Sequence, residues 1–179
     1  MLYEWFSVTR TIGLIAYTVA LVVCLSALLG WARGRRDLET GMTLIALAGL
    51  QLALLLDKAF NWRWQIHEYW MRAAMVEGVY GRRRPFQLVV LGVLAAGLIA
   101  GAVWILHRFR RRPGLRIAIV GTLLSVGLWG CEAVSYHYFD RVLFFEVGHA
   151  MFVSFLWAGC ALLTTIGVWR NGPRKFKSR

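Results

Sequence analysis

Five long apolar runs separated by short charged segments dominate the chain. The first lies between Arg10 and Arg33, the second between Glu39 and Asp57, and the third between Arg84 and Arg108. The fourth, between Arg116 and Asp140, is interrupted only by Glu132, and the fifth lies between Glu146 and Arg170. Each supplies roughly 17–23 residues, enough for a helix rising ~1.5 Å per residue to cross ~30 Å of hydrocarbon. The pattern predicts an all-α integral membrane helical bundle of five transmembrane helices, forming one domain over 1–179. The spans are expected near 11–32, 40–57, 86–107, 116–137 and 144–169. The first run is read as a span and not a signal peptide, because Arg10 is the only base ahead of it and the run exceeds a signal core in length.

Between the second and third runs, glycine and proline are confined to the end of the segment, at Gly78, Gly81 and Pro85. Helical spacing over 62–80 places Trp62, Ile66, Tyr69, Ala73, Val76 and Tyr80 on one face. Gln65, Glu68 and Arg72 form a polar stripe, with Glu68 and Arg72 at i,i+4. Its tryptophans and tyrosine suit a head-group layer, so an amphipathic helix lying in the outer interface is predicted.

Composition sharpens this picture. Hydrophobic residues make up 59% of the chain, above the ~45–50% of soluble domains. The net charge of +12 sits at the ends of apolar runs, which points to lipid head groups and topology rather than nucleic acid. With five spans, one side holds 13 bases against two acids and the other holds 8 bases against six acids. The positive-inside rule then puts the C-terminus in the cytoplasm and the N-terminus outside. Arg82, Arg83 and Arg84 run against that rule, and they are candidates for lipid or anion contact.

Within the spans, Glu132 is the most costly residue, since an ionised carboxylate below the interface needs a partner. Lys58, or Arg83 from the Arg82–Arg84 cluster, is the expected partner at similar depth. Glu146 and His149 are three apart, which on a helix shares a face. With His137 and His67 they make a candidate metal set, although no tight ligand spacing supports one. No histidine lies mid-span, which disfavours a haem held between two histidines. No cofactor is expected, with metal or interfacial pigment contact as the alternatives. Cys24, Cys131 and Cys160 lack any CxxC spacing and read as packing residues. P-loop, GxSxG and HExxH motifs are absent. Gly97 and Gly101 form a GxxxG pair, and Gly92, Ala96 and Ala100 a second small-residue row, both suited to helix packing.

The stretch from Asp57-Lys58 through Gln87, with arginines before an apolar span, resembles a family of small bacterial polytopic membrane proteins that carries no assigned activity. Ser135-Tyr136-His137-Tyr138-Phe139-Asp140 is similar to that family's second polar segment. The resemblance implies a bacterial inner-membrane location and gives no residue a role. The leading expectation is a non-catalytic subunit or accessory protein of a larger membrane complex, with membrane lipids and other membrane subunits as partners. A metal- or redox-active enzyme with an outward-facing His/Glu site is the first alternative. A carrier or anionic-lipid-binding protein is the second.

Overall fold

The computed structural model describes residues 8–34, 37–78 and 80–171. Arg35, Arg36 and the tail bases beyond Asn171, which entered the charge count, lie outside the described residues. The described chain is helical almost throughout: α1 (Val8–Arg33), α2 (Leu38–Phe60), α3 (Trp62–Val76), α4 (Arg83–Arg108), α5 (Pro113–Val134), α6 (His137–Leu143) and α7 (Phe152–Arg170). A 3-10 turn, Tyr80–Arg82, leads into α4, and a two-residue hairpin of β1 (Glu146–Val147) and β2 (Ala150–Met151) precedes α7. Five of these helices, α1, α2, α4 with its leading turn, α5 and α7, are long and apolar enough to cross a membrane.

The elements start and stop where local chemistry dictates. Asp37 caps α2, its carboxylate accepting from the Thr40 backbone N–H at 3.0 Å. Pro113 opens α5, where a missing N–H costs nothing. Asn61 and Ser135 end α2 and α5 in the left-handed region, at φ 56° and 48°. Neither is glycine, and both turns lie at the same end of the bundle as α3.

Four helices, α1, α2, α5 and α7, pack against one another; α4 lies chiefly against α5. The contact between α5 and α7 is glycine-mediated. A Cβ on Gly167 would sit 2.2 Å from the Ala118 nitrogen, and one on Gly121 would sit 2.7 Å from the Thr164 nitrogen. Backbone therefore meets backbone, the arrangement expected where dispersion rather than hydrophobicity joins helices. Tyr17, Leu54, Val153 and Trp157 fill one core cluster, and Cys24, Leu44, Leu47 and Val168 another. The three cysteines are free thiols, Cys24 buried and the others half-buried.

Three expectations change here. The fifth span was placed from 144, but the helix begins at Phe152. Hairpin pairing of Glu146 with Met151 and Val147 with Ala150, turned at Gly148 (φ 66°), takes up the preceding residues. The second change is the rotation of α3. Val76 and Tyr69, expected together on one apolar face, are 89% and 67% exposed, while Arg63, His67, Met71 and Ala74 are half-buried against the bundle. The rotation is set by Arg63, whose guanidinium must reach carboxylates under the helix. Glu68 and Arg72 do pair, at 3.1 Å. Third, a Cβ on Gly97 of the GxxxG pair would meet no other described element within 4 Å.

Candidate functional site

At the end of the bundle where α3 crosses over, four charged side chains meet in the interior. Asp57 and Lys58 close α2, Arg63 opens α3, and Glu132 lies in the last turn of α5. Lys58 Nζ is 3.4 Å from Glu132 Oε2 and 3.5 Å from Asp57 Oδ2. The Arg63 guanidinium contacts Glu132 and lies 4.0 Å from Asp57 Oδ2. The α7 residue Trp157 donates its indole N–H to Glu132 Oε1 at 2.5 Å. The same indole ring lies 3.7 Å beneath Lys58 Nζ and 5.0 Å from the Arg63 guanidinium. The side chains of Lys58 and Glu132 are 2% and 0% exposed, so water screens this group little.

The backbone explains how the four arrive together. Arg10 of α1 donates to the carbonyls of Lys58, at 2.9 Å, and Ala59, satisfying the open end of α2. The left-handed Asn61 folds the chain back, and the Arg63 backbone N–H donates to Asp57 Oδ1 at 3.0 Å. That reversal brings Arg63 over α5. Gly13 of α1 allows the close approach of Trp157, since a Cβ there would lie 2.8 Å from the ring. Two acids face two bases, and the group is neutral as a whole. Burial is the main influence on the Arg63 guanidinium and lowers its pKa, while the Asp57 charge opposes this.

A thinner polar path continues along the bundle. Gln51 donates to Thr122 at 3.0 Å, and Thr122 and Thr164 share a hydrogen bond of 3.2 Å, tying α2, α5 and α7. Among the described residues, Gln51 Oε1 has no hydrogen-bond partner. At the far end, Arg112 donates to Asp37 Oδ2 at 2.8 Å and to Thr40 at 2.6 Å, while Arg108 pairs with Glu39 at 2.5 Å. This clasp joins the start of α2 to the turn between α4 and α5. The Arg112 hydrogen bond is the main reason the Asp37 carboxyl is held down to about 2.

A third feature is a cavity of about 700 Å³ beneath α3, bounded by α4 and α5. Ile66, Trp70, Phe86 and Val134 are among its apolar walls, and His67, Glu77, Arg82 and Arg83 bring polar groups to it. Gln87 fastens its floor by donating to the carbonyls of Val134 and Ser135, at 3.1 and 3.3 Å.

Compared with family models, curated proteins and solved structures, the chain matches none. The site residues are therefore read from geometry alone.

Lys58 lies against Glu132, as its depth suggested, but Arg83 does not. It lies over the Tyr80 ring at 3.8 Å, on the cavity side. Arg63, which the sequence pattern did not single out as a partner, is the second base on Glu132. Arg82 lines the cavity with Arg83, and Arg84 is exposed beside them without lining it.

The candidate metal set is not assembled. Glu146 lies on β1 and His149 in the hairpin turn, so they share no helix face. Among the described residues, no group of three His, Cys, Asp or Glu side chains is placed to hold a metal ion. His67 and His137 instead flank Asp140, whose Oδ2 accepts from Ser135 Oγ at 2.6 Å. Burial raises the Asp140 carboxyl above its ordinary value, against the Ser135 hydrogen bond and the two histidines.

Proposed function

We propose that the chain is embedded in a bacterial inner membrane through its five apolar helices and serves as a non-catalytic subunit of a larger membrane assembly. The observation that carries this reading is α4. Ile105 is its only buried residue, whereas every other long helix buries at least four. Its exposed surface includes Gly92, Ala96 and Ala100 at i,i+4 spacing, and a Cβ on Gly92 or Gly97 would meet no other described element within 4 Å. Small residues add little contact with lipid but let a second helix approach closely. Large side chains, Val93, Ile99 and Trp104, stand exposed beside this row, as Met42, Ile45 and Leu52 do on α2.

The ion group supports a structural role in this reading. Its two acids and two bases offset one another, and the indole of Trp157 occupies the remaining carboxylate oxygen of Glu132. A neutral group of this kind joins α2, α3, α5 and α7 into one rigid body. The charge count favours the end carrying α3 as the non-cytoplasmic one.

Extraction in mild detergent tests the reading. The particle should exceed 20.3 kDa of protein and contain a second kind of polypeptide. Ala96→Phe should release that polypeptide while leaving the thermal stability of the chain unchanged. A monomer, or a particle containing only copies of this chain, would overturn it.

A further inference from the structure

The cavity beneath α3 has no part in that proposal, and its chemistry is specific. Its volume of about 700 Å³ lies within the range of small-molecule sites. The walls are mostly apolar, so water has few partners there and an apolar occupant is favoured. At the mouth, Arg82 and Arg83 form no ion pair among the described residues, and Arg83 is braced against the Tyr80 ring. Glu77 is the one acid among the described residues of the lining, and it faces two arginines, Arg82 and Arg83.

The location adds a second constraint. Arg82 ends the 3-10 turn and Arg83 begins α4, where an apolar helix gives way to polar chain. The flanking α3 exposes Trp62, Trp64, Tyr69 and Trp70, side chains that favour the head-group layer. An apolar chamber therefore lies on the hydrocarbon side of a doubly basic rim at that layer.

We propose that this cavity is a binding site for an anionic phospholipid. One acyl chain occupies the space between α3 and the α4–α5 pair, and Arg82 and Arg83 bind the phosphate. Arginine supplies planar, multiply donating contacts to phosphate oxygens. Two arginines against one acid favour a singly anionic head group over a zwitterionic one. Arg84 adds a neighbouring positive charge without lining the cavity.

Native mass spectrometry of the full chain in neutral detergent, titrated with dioleoyl phosphatidylglycerol or dioleoyl phosphatidylcholine, tests the site. One phosphatidylglycerol per chain should be retained, with about tenfold preference over phosphatidylcholine. Two variants report on the two halves of the site: Arg82→Gln with Arg83→Gln at the exposed rim, and Ala74→Phe filling the chamber. Both should abolish the preferred adduct while the melting temperature stays within a few degrees of the parent. Equal retention of the two lipids would overturn the charge assignment. Retention that survives either variant would show lipid bound elsewhere on the surface. Displacement by glycerol phosphate, which has no acyl chain, would show a free-phosphate site and would likewise overturn the proposal.

Discussion

The two flanks of α5 are built on opposite principles. Toward α7, Gly114, Gly121 and Gly167 bring backbones into contact, and the polar groups along that side are drawn into hydrogen bonds and ion pairs. Toward α4, leucine side chains make the contact, with Leu94 over Gly130 and Leu98 over Gly127. Beyond them the glycines and alanines of α4 face outward, and a cavity opens under α3. Glycine content does not distinguish these flanks. The distinction lies in the glycines of the facing helices: Gly167 of α7 meets α5 backbone, whereas a Cβ on Gly92 or Gly97 of α4 would meet no described atom within 4 Å. On one side close packing is complete within the chain, and on the other the surface for it is left open.

The largest effect that separates the flanks is expected at Glu132. Replacing it with Gln leaves Lys58 and Arg63 buried against Asp57 alone, and should cost about 3–5 kcal/mol in detergent unfolding. Adding Lys58→Met restores one acid against one base. The double mutant should therefore be more stable than Glu132→Gln alone, with a coupling of about 1–3 kcal/mol. Simple additivity would mean that the ions do not act as a unit.

The glycines give the next contrast. Gly167→Leu must force α5 and α7 apart and should cost about 3 kcal/mol or more, since the added side chain meets backbone that cannot yield. Gly97→Leu meets open space and should be neutral or slightly stabilising for the isolated chain, through the higher helix propensity of leucine. Paired melting curves check both. Equal losses would show that α4 is as closely packed as α7.

Much of this architecture is legible in the chain, for a physical reason. An apolar run long enough to cross a bilayer has few alternatives to a helix, so the long runs foretell the long helices. The turn residues are harder to read. Asn61 takes a left-handed conformation that nothing in its immediate neighbours announces, and that turn delivers Arg63 to Glu132. Depth along a span suggested Lys58, but it could not identify a base that returns from beyond the helix end. The combination available in the sequence was Asp57, Asn61 and Arg63, an acid, a turn former and a base within one reversal. The hairpin before α7 was hidden because Val147, Ala150 and Met151 continue the apolar character of the span. Gly148 was the one signal of a reversal. The cavity was not legible, because it depends on how α3 is rotated, and Arg63 sets that rotation from outside the apolar pattern.

A smaller effect is expected at the clasp on the opposite end. Asp37 is held at about 2, below its ordinary value of 3.8, chiefly by Arg112. A depressed carboxyl stabilises the fold above the unfolded pKa, and that contribution fades as pH falls through the folded one. Stability should therefore decline between about pH 4 and pH 2, by less than ~1 kcal/mol because the pair is partly solvated. Arg112→Gln should remove that part of the acid sensitivity. Asp140 has the opposite sign. Its raised carboxyl favours the fold below the ordinary carboxylate range, and this contribution is lost as pH rises through the raised value. Asp140→Asn should flatten that dependence in the same titration.

The most direct measurement of the difference between the flanks is photo-crosslinking in native membranes. A benzoylphenylalanine at Ala96, on the small-residue row of α4, is compared with one at Ile45, on the exposed large-residue face of α2. Covalent adducts to a distinct polypeptide from position 96, with lipid adducts alone from position 45, are the expected result. Lipid adducts alone from both positions, or the same polypeptide captured equally from both, would contradict an α4 flank built to receive a partner.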